Sequence, residues 1–134
     1  MRIFNCEICS YKNIVFGDLT ARQFVLFEHK HLFGIIFFYF KGHKQDRFHT
    51  HAFNALSIKL FGKYDEGILN PITKKIRYET RYSVFKYFPR DSYHSINNSN
   101  GCCTVLFQGP WHKYWKEYKD GTETKLSWHR KIVN

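Results

Sequence analysis

Apolar residues arrive along this chain in short runs, and their lengths are those of strands. Residues 24–27, 32–40, 56–61, 76–88, 102–107 and 114–118 are aromatic or β-branched stretches, the composition that fills a pleated, half-buried surface. Turn formers separate them: Gly42, Gly62, EGILNP at 66–71, PRD at 89–91, NNSNG at 97–101, GP at 109–110 and KDG at 119–121. Only residues 16–27 and 111–118 compete as short helices. The pattern predicts a small all-β sandwich or barrel, and no linker, repeat or low-complexity segment divides it. One domain over 1–134 is expected.

Composition agrees with a packed core, at 43% hydrophobic and 19% aromatic. The longest apolar run, 32–40, is interrupted by Gly34; it is too short to span a bilayer and suits a buried strand. The start, MRIFNCEICSYKN, lacks the apolar segment and small-residue cleavage site of a secretory signal. A soluble, cytoplasmic protein without membrane contact is therefore expected. Cys6 and Cys9 form a Cys-x-x-Cys, but Cys102 and Cys103 are adjacent and do not reproduce the spacer of a zinc ribbon. Adjacent strand residues also face opposite ways, so the four cysteines read as buried free thiols rather than a zinc site.

A net charge of +10 favours a small anionic partner such as a carboxylate or a nucleotide. The bases come in groups: Lys41, Lys44 and Arg47; Lys74, Lys75, Arg77 and Arg81; Lys113, Lys116 and Lys119; Arg130 and Lys131. No helix-turn-helix, zinc-finger or RRM signature accompanies them, so a nucleic-acid polymer is not expected.

The histidines carry the chemistry. In a strand, residues two apart point to one side, so His49 and His51 in DRFHTHAF can present imidazoles to one point. His29 and His31 in EHKHLF have the same spacing. A divalent ion needs a third ligand, and His94 in FPRDSYHSINN supplies a candidate, set just after a Pro89-Arg90-Asp91 turn. His29 and His31 have no such counterpart and read as a surface pair. His43, His112 and His129 read as ordinary exposed or turn histidines.

These stretches resemble the cupin family. HTHAFNALSIKLFG is similar to the first cupin motif, with His49, His51 and Gly62 at matching positions. PRDSYHSINN is similar to the second, with Pro89, His94 and Asn98 matching and Asp91 where glycine is usual. A narrower resemblance, from about Asp46 to Trp115, is to small bacterial and phage cupins through DRFHTHAFNALSIKLFGKYDE and TVLFQGPWHKYW. The family implies a jelly-roll-like β-barrel and, often, a homodimer.

Departures from the pattern matter. Ala55 stands where the first motif has a glutamate, and alanine cannot ligate a metal; Asn54, Ala52 and Phe53 replace the narrower group's aspartate and Pro-Trp. The resemblance therefore implies a three-histidine site, His49, His51 and His94, with positions left open. Such imidazoles suit Fe2+ first, and also Zn2+, Mn2+, Ni2+ or copper. Glu66 is expected to act behind the ligands or in a turn rather than on the metal.

Three functions follow from the resemblance and the charge. The first is a three-histidine Fe(II) dioxygenase, with Arg47 or Arg81 clamping a substrate carboxylate and Tyr64 or Tyr93 donating a hydrogen bond. The second is a metal-dependent phosphoesterase acting on nucleotides or cyclic nucleotides, where Glu66, Asp91 or a free histidine is the available base. The third is a non-catalytic binder of an anionic ligand. Tyr64, Tyr82, Tyr93, Trp111 and Trp115 read mainly as core and rim packing, with Trp111 and Trp115 as candidates for substrate contact.

Overall fold

A computed structural model describes residues 2–3, 6–44, 47–127 and 131–133, and there the chain is built from strands, with no helix among the described residues. Asp46, His129 and Arg130 lie outside the described residues. Both segments that competed as helices are extended: β3 covers Leu19–His29 and β11 covers Tyr114–Lys119. No helix among the described residues is long and apolar enough to cross a membrane.

Among the described residues, thirteen strands join in one curled antiparallel sheet. β2 (Cys6–Phe16) pairs with β3, which pairs with β4 (Gly34–Lys44). β10 (Tyr93–Gln108) is the spine. One edge of it pairs with β4. The other pairs with β6 (Ala55–Phe61) near its end and with β7 (Asp65–Leu69) near its start, so that β5 (Phe48–His49) meets His94 on the same edge as β4.

Four sequence expectations change here. NNSNG at 97–101 is no interruption: it lies within β10 as a bulge between Asn100 and Cys102. Asn98 has φ 50° and Gly101 φ 116°, which bend the strand while its pairing continues on both sides. Residues 66–69 belong to β7, and the expected single run over 76–88 divides into β8 (Ile76–Thr80) and β9 (Phe85–Phe88). The cysteines are free, but only Cys102 is buried; Cys9 is exposed.

The interior holds two adjoining apolar clusters. Leu19, Ala21, Phe40, Tyr64, Ile96 and Cys102 form one. Val25, Ile36, Ala52, Phe53, Ala55 and Leu106 form the other. Ala55 thus packs in the core, opposite Phe88 on one side and Gln108 on the other. Gly62 ends β6 with φ 81°, and a Cβ there would stand 2.2 Å from the Gly101 carbonyl oxygen. Only glycine tolerates both the conformation and that approach.

Arg81 fastens the loop between β8 and β9. Its side chain is buried, and all five of its N–H groups donate. Nε donates to the Ser83 carbonyl, Nη1 to Ser57 Oγ and the Tyr64 hydroxyl, and Nη2 to the Ser57 and Val84 carbonyls, at 2.8–3.2 Å.

Candidate metal centre

Strand pairing brings His49 and His94 together, and the segment that follows β5 adds His51. His49, in β5, lies opposite His94 in β10 on one side and Glu117 in β11 on the other. The next residues are held from both sides. Thr50 N donates to the Lys116 carbonyl, and Lys116 N donates back to Thr50 Oγ1. His51 N donates to the Arg90 carbonyl at 3.3 Å, and Arg90 N donates to Asn54 Oδ1 at 2.8 Å. The Pro89 turn therefore docks directly on the first histidine segment. His51 lies two residues past the end of β5, and these bonds hold it beside His49 and His94.

Candidate ligand atoms of His49, His51 and His94 all lie within 4.8 Å of one another. Ring centroids are 4.6–4.9 Å apart. The Nε2 atoms of His51 and His94 stand 2.8 Å apart, so two ring nitrogens converge where a shared proton or cation is needed. Burial, followed by the neighbouring His94, holds the His51 imidazole down to a pKa of about 3. That ring is neutral near pH 7 and keeps a lone pair for a metal. The donor set fits a divalent transition ion: three imidazoles, no thiolate, and no carboxylate at Ala55.

Glu66 stands behind this group. It is buried in β7, with Oε1 3.6 Å from His94 Nδ1, an ion-pair distance just beyond a hydrogen bond. Its Oε2 pairs with Lys86. Burial alone would raise its pKa, but His94 and Lys86 together bring it below the usual carboxylate range. His94 Nδ1 is itself buried without a hydrogen bond. A carboxylate on that side favours the tautomer with the proton on Nδ1, which leaves Nε2 free to bind an ion. Two rings shield the centre: Phe53 stacks on His51 at 5.2 Å and Phe88 lies 4.8 Å from His94.

The histidines open onto a cavity of about 260 Å³ lined mostly by apolar side chains. Tyr64, Trp111 and Trp115 are among the residues that line it. The two indoles meet edge to face at 5.9 Å, and Lys30 lies over Trp111. Burial pushes the Tyr64 phenol up to about 12, against the opposing pull of Arg81.

The other sequence candidates lie elsewhere. Arg81 is enclosed in its own loop and does not line the cavity. Arg47 donates to Glu117 Oε2 at 3.0 Å. Tyr93 donates to Glu123 at 2.8 Å, outside the cavity; burial and that carboxylate raise its pKa. Asp91 is exposed and faces Arg90. His29 and His31 neighbour each other, with His31 N donating to His29 Nδ1, and His31 is exposed. Among the described residues no lysine or arginine lines the cavity.

Sequence reasoning missed Lys86, Phe53 and Phe88 as supports of the centre. Phe53 and Phe88 were nonetheless visible as aromatic neighbours of the two histidine motifs.

Neither a family model nor a curated protein matches the chain. Solved structures do. Oxalate decarboxylase from Bacillus subtilis superposes with a TM-score of 0.55 at 14% identity, over 83% of this chain and 30% of that one. CapF, solved with the inhibitor 3-isopropenyl-tropolone, superposes with a TM-score of 0.56 at 11% identity, over 75% of this chain and 31% of that one. Both are cupins. The fold is a cupin fold. The chain spans about 30% of the length of the larger proteins it matches, and at these identities the likeness concerns architecture alone. Within it, His49, His51 and His94 sit together in the lining of a largely apolar cavity, as the two motifs implied.

Proposed function

We propose that this cupin is a metal-dependent enzyme in which His49, His51 and His94 hold a divalent ion, Fe(II) foremost, for a dioxygenase-like oxidation. The observation that carries this is the convergence of three imidazoles, one held neutral by burial, on an apolar cavity. A bound ferrous ion would supply Lewis acidity and electrons for dioxygen chemistry. The protein's own part is positional. Glu66 holds the Nδ1 side of His94, Phe53 and Phe88 keep water from the ligands, and Trp111 and Trp115 wall the cavity. Mn(II) belongs in any trial, because oxalate decarboxylase is described with Mn(II) centres.

The substrate in this reading is small, with one anionic group at the metal and an apolar body. The cavity volume and the absence of lysine or arginine from its described lining favour this over a nucleotide, whose phosphates need fixed cations. Anaerobic iron loading followed by oxygen-uptake measurements over a panel of small thiols and aryl or alkyl carboxylates tests the proposal. Uptake that depends on substrate and vanishes in His51→Ala supports it. No uptake with any panel member, on protein shown to carry iron, refutes the oxygenase. Stoichiometric ligand binding that survives His94→Ala would instead favour the pure binder.

A further inference from the structure

The cavity has a second polar pole, away from the histidines. Gln108 ends β10, with Gly34 opposite on one neighbour and Ala55 on the other. Its side chain lies across Gly34: a Cβ there would stand 2.7 Å from Gln108 Nε2 and 2.8 Å from Cγ. Glycine at this position lets the amide reach Glu28 on β3, whose Cα partner is also Gly34. Nε2 donates to Glu28 Oε2 at 2.5 Å. A carboxylate only accepts, so this bond settles which end of the amide is nitrogen. The oxygen, Oε1, is left buried with no hydrogen bond.

Gln108 is 2% exposed and Glu28 7%, and both line the same cavity as the histidines. Buried acceptors in native proteins nearly always have a partner, and an orphan calls for one. Charge narrows what that partner is. Glu28 Oε1 already faces Lys30 at 3.5 Å, so the pole is close to neutral and would gain little from a cation. Alternation along β10 places Thr104, Leu106 and Gln108 on the cavity side, all buried. Leu106 and its cross-strand neighbour Ile36, with Phe38 beside Thr104, make this stretch of the lining largely apolar. His51 and Ala55, the Cα partner of Gln108, are four residues apart, so their Cα atoms lie no more than about 14 Å apart, a span that one ring or a short chain can bridge.

We propose that Gln108, held by Glu28 over Gly34, is a specificity-determining residue that accepts a hydrogen bond from a neutral hydroxyl or amide N–H at the far end of the ligand. The anionic end of that ligand meets the histidines, so this part of the inference rests on the metal-centre reading. The predicted class is a slender carboxylate with an apolar middle and a terminal donor.

Calorimetric titration of the full chain, loaded with zinc to prevent turnover, tests this with two pairs of probes. The first pair is para-hydroxyphenylacetate and para-methylphenylacetate, which differ only in the terminal donor. The second is para-cresol and para-xylene, which lack the carboxylate. In wild type the hydroxyl member of each pair is expected to bind about tenfold tighter. In Gln108→Leu the preference should disappear. Gly34→Ala, which pushes the amide aside without removing it, should reduce it and serves if the leucine variant does not fold. Equal binding within both pairs in wild type overturns the proposal, as does a preference that persists in both variants. Metal removal separates the two readings. If chelation fails to weaken the phenylacetates, the metal end is wrong, while the cresol preference still reports on Gln108 alone.

Discussion

Replacing Arg81 with lysine separates two roles for a buried cation that the sequence alone leaves open: strut or substrate clamp. The guanidinium makes five hydrogen bonds, to Ser57 Oγ, the Tyr64 hydroxyl and three backbone carbonyls. Among the described residues no carboxylate pairs with it, so carbonyl and hydroxyl dipoles, with the Tyr64 ring 5.8 Å away, stabilise the charge. Lysine has three donors on a tetrahedral head and cannot reproduce the planar fork. At least two of the five bonds must be lost, each worth roughly 1.5–3 kcal/mol when the donor is charged. The expected destabilisation is about 3 kcal/mol or more, a large share of the roughly 5–15 kcal/mol that holds a domain together. For a chain of this size that corresponds to a melting temperature lower by about 10 °C. Urea denaturation followed by tryptophan fluorescence, with Ser57→Ala and the double variant, measures it. The cycle should show coupling of about 1 kcal/mol between Ser57 and Arg81. An unchanged midpoint, together with weakened carboxylate binding, would refute the structural role and restore Arg81 as a clamp.

Other consequences can be checked in parallel. Glu66→Gln keeps the shape of the side chain but removes the negative charge facing His94; metal affinity, read by chelator competition, should fall about 10- to 100-fold with the far-UV circular dichroism unchanged. Gly62→Ala should cost about 2–4 kcal/mol in chemical denaturation, because φ 81° and the Gly101 carbonyl both oppose a Cβ. Tyr64 titrates near 12 in the fold against about 10 when unfolded. Its raised pKa means that the folded form holds the proton longer, so its contribution is full below pH 10 and is lost as pH rises toward 12. By linkage this is about 3 kcal/mol across that window, and Tyr64→Phe should flatten the alkaline limb of the stability curve. A limb equally steep in the variant would assign the loss to other groups.

What the sequence disclosed and what it hid divide along physical lines. His49 and His51 were legible because period-two spacing is local, and His94 because a proline turn and a second motif mark it. Strand existence followed from aromatic runs. β2 was missed because CEICSYKNIVF interleaves charged and polar residues with its apolar ones, and is largely half-buried or exposed on the sheet. Gly67 looked like a breaker in EGILNP. It is a strand residue chosen for close approach, since a Cβ there would meet Ser95 Oγ at 2.5 Å. The role of Arg81 was hidden because its acceptors are mostly backbone carbonyls, which no residue type announces. Glu28 and Gln108 meet across 80 residues, a distance over which no local pattern speaks.

Metal analysis of untagged protein tests the central claim most directly. Elemental analysis of wild type, His51→Ala, His94→Ala and His29→Ala, all checked for folding, measures bound ions per chain. The account predicts one divalent transition ion per chain in wild type and in His29→Ala, and its loss in His51→Ala and His94→Ala. Wild type that takes up no ion on reconstitution, or His51→Ala and His94→Ala variants that bind it as tightly as wild type, would contradict it.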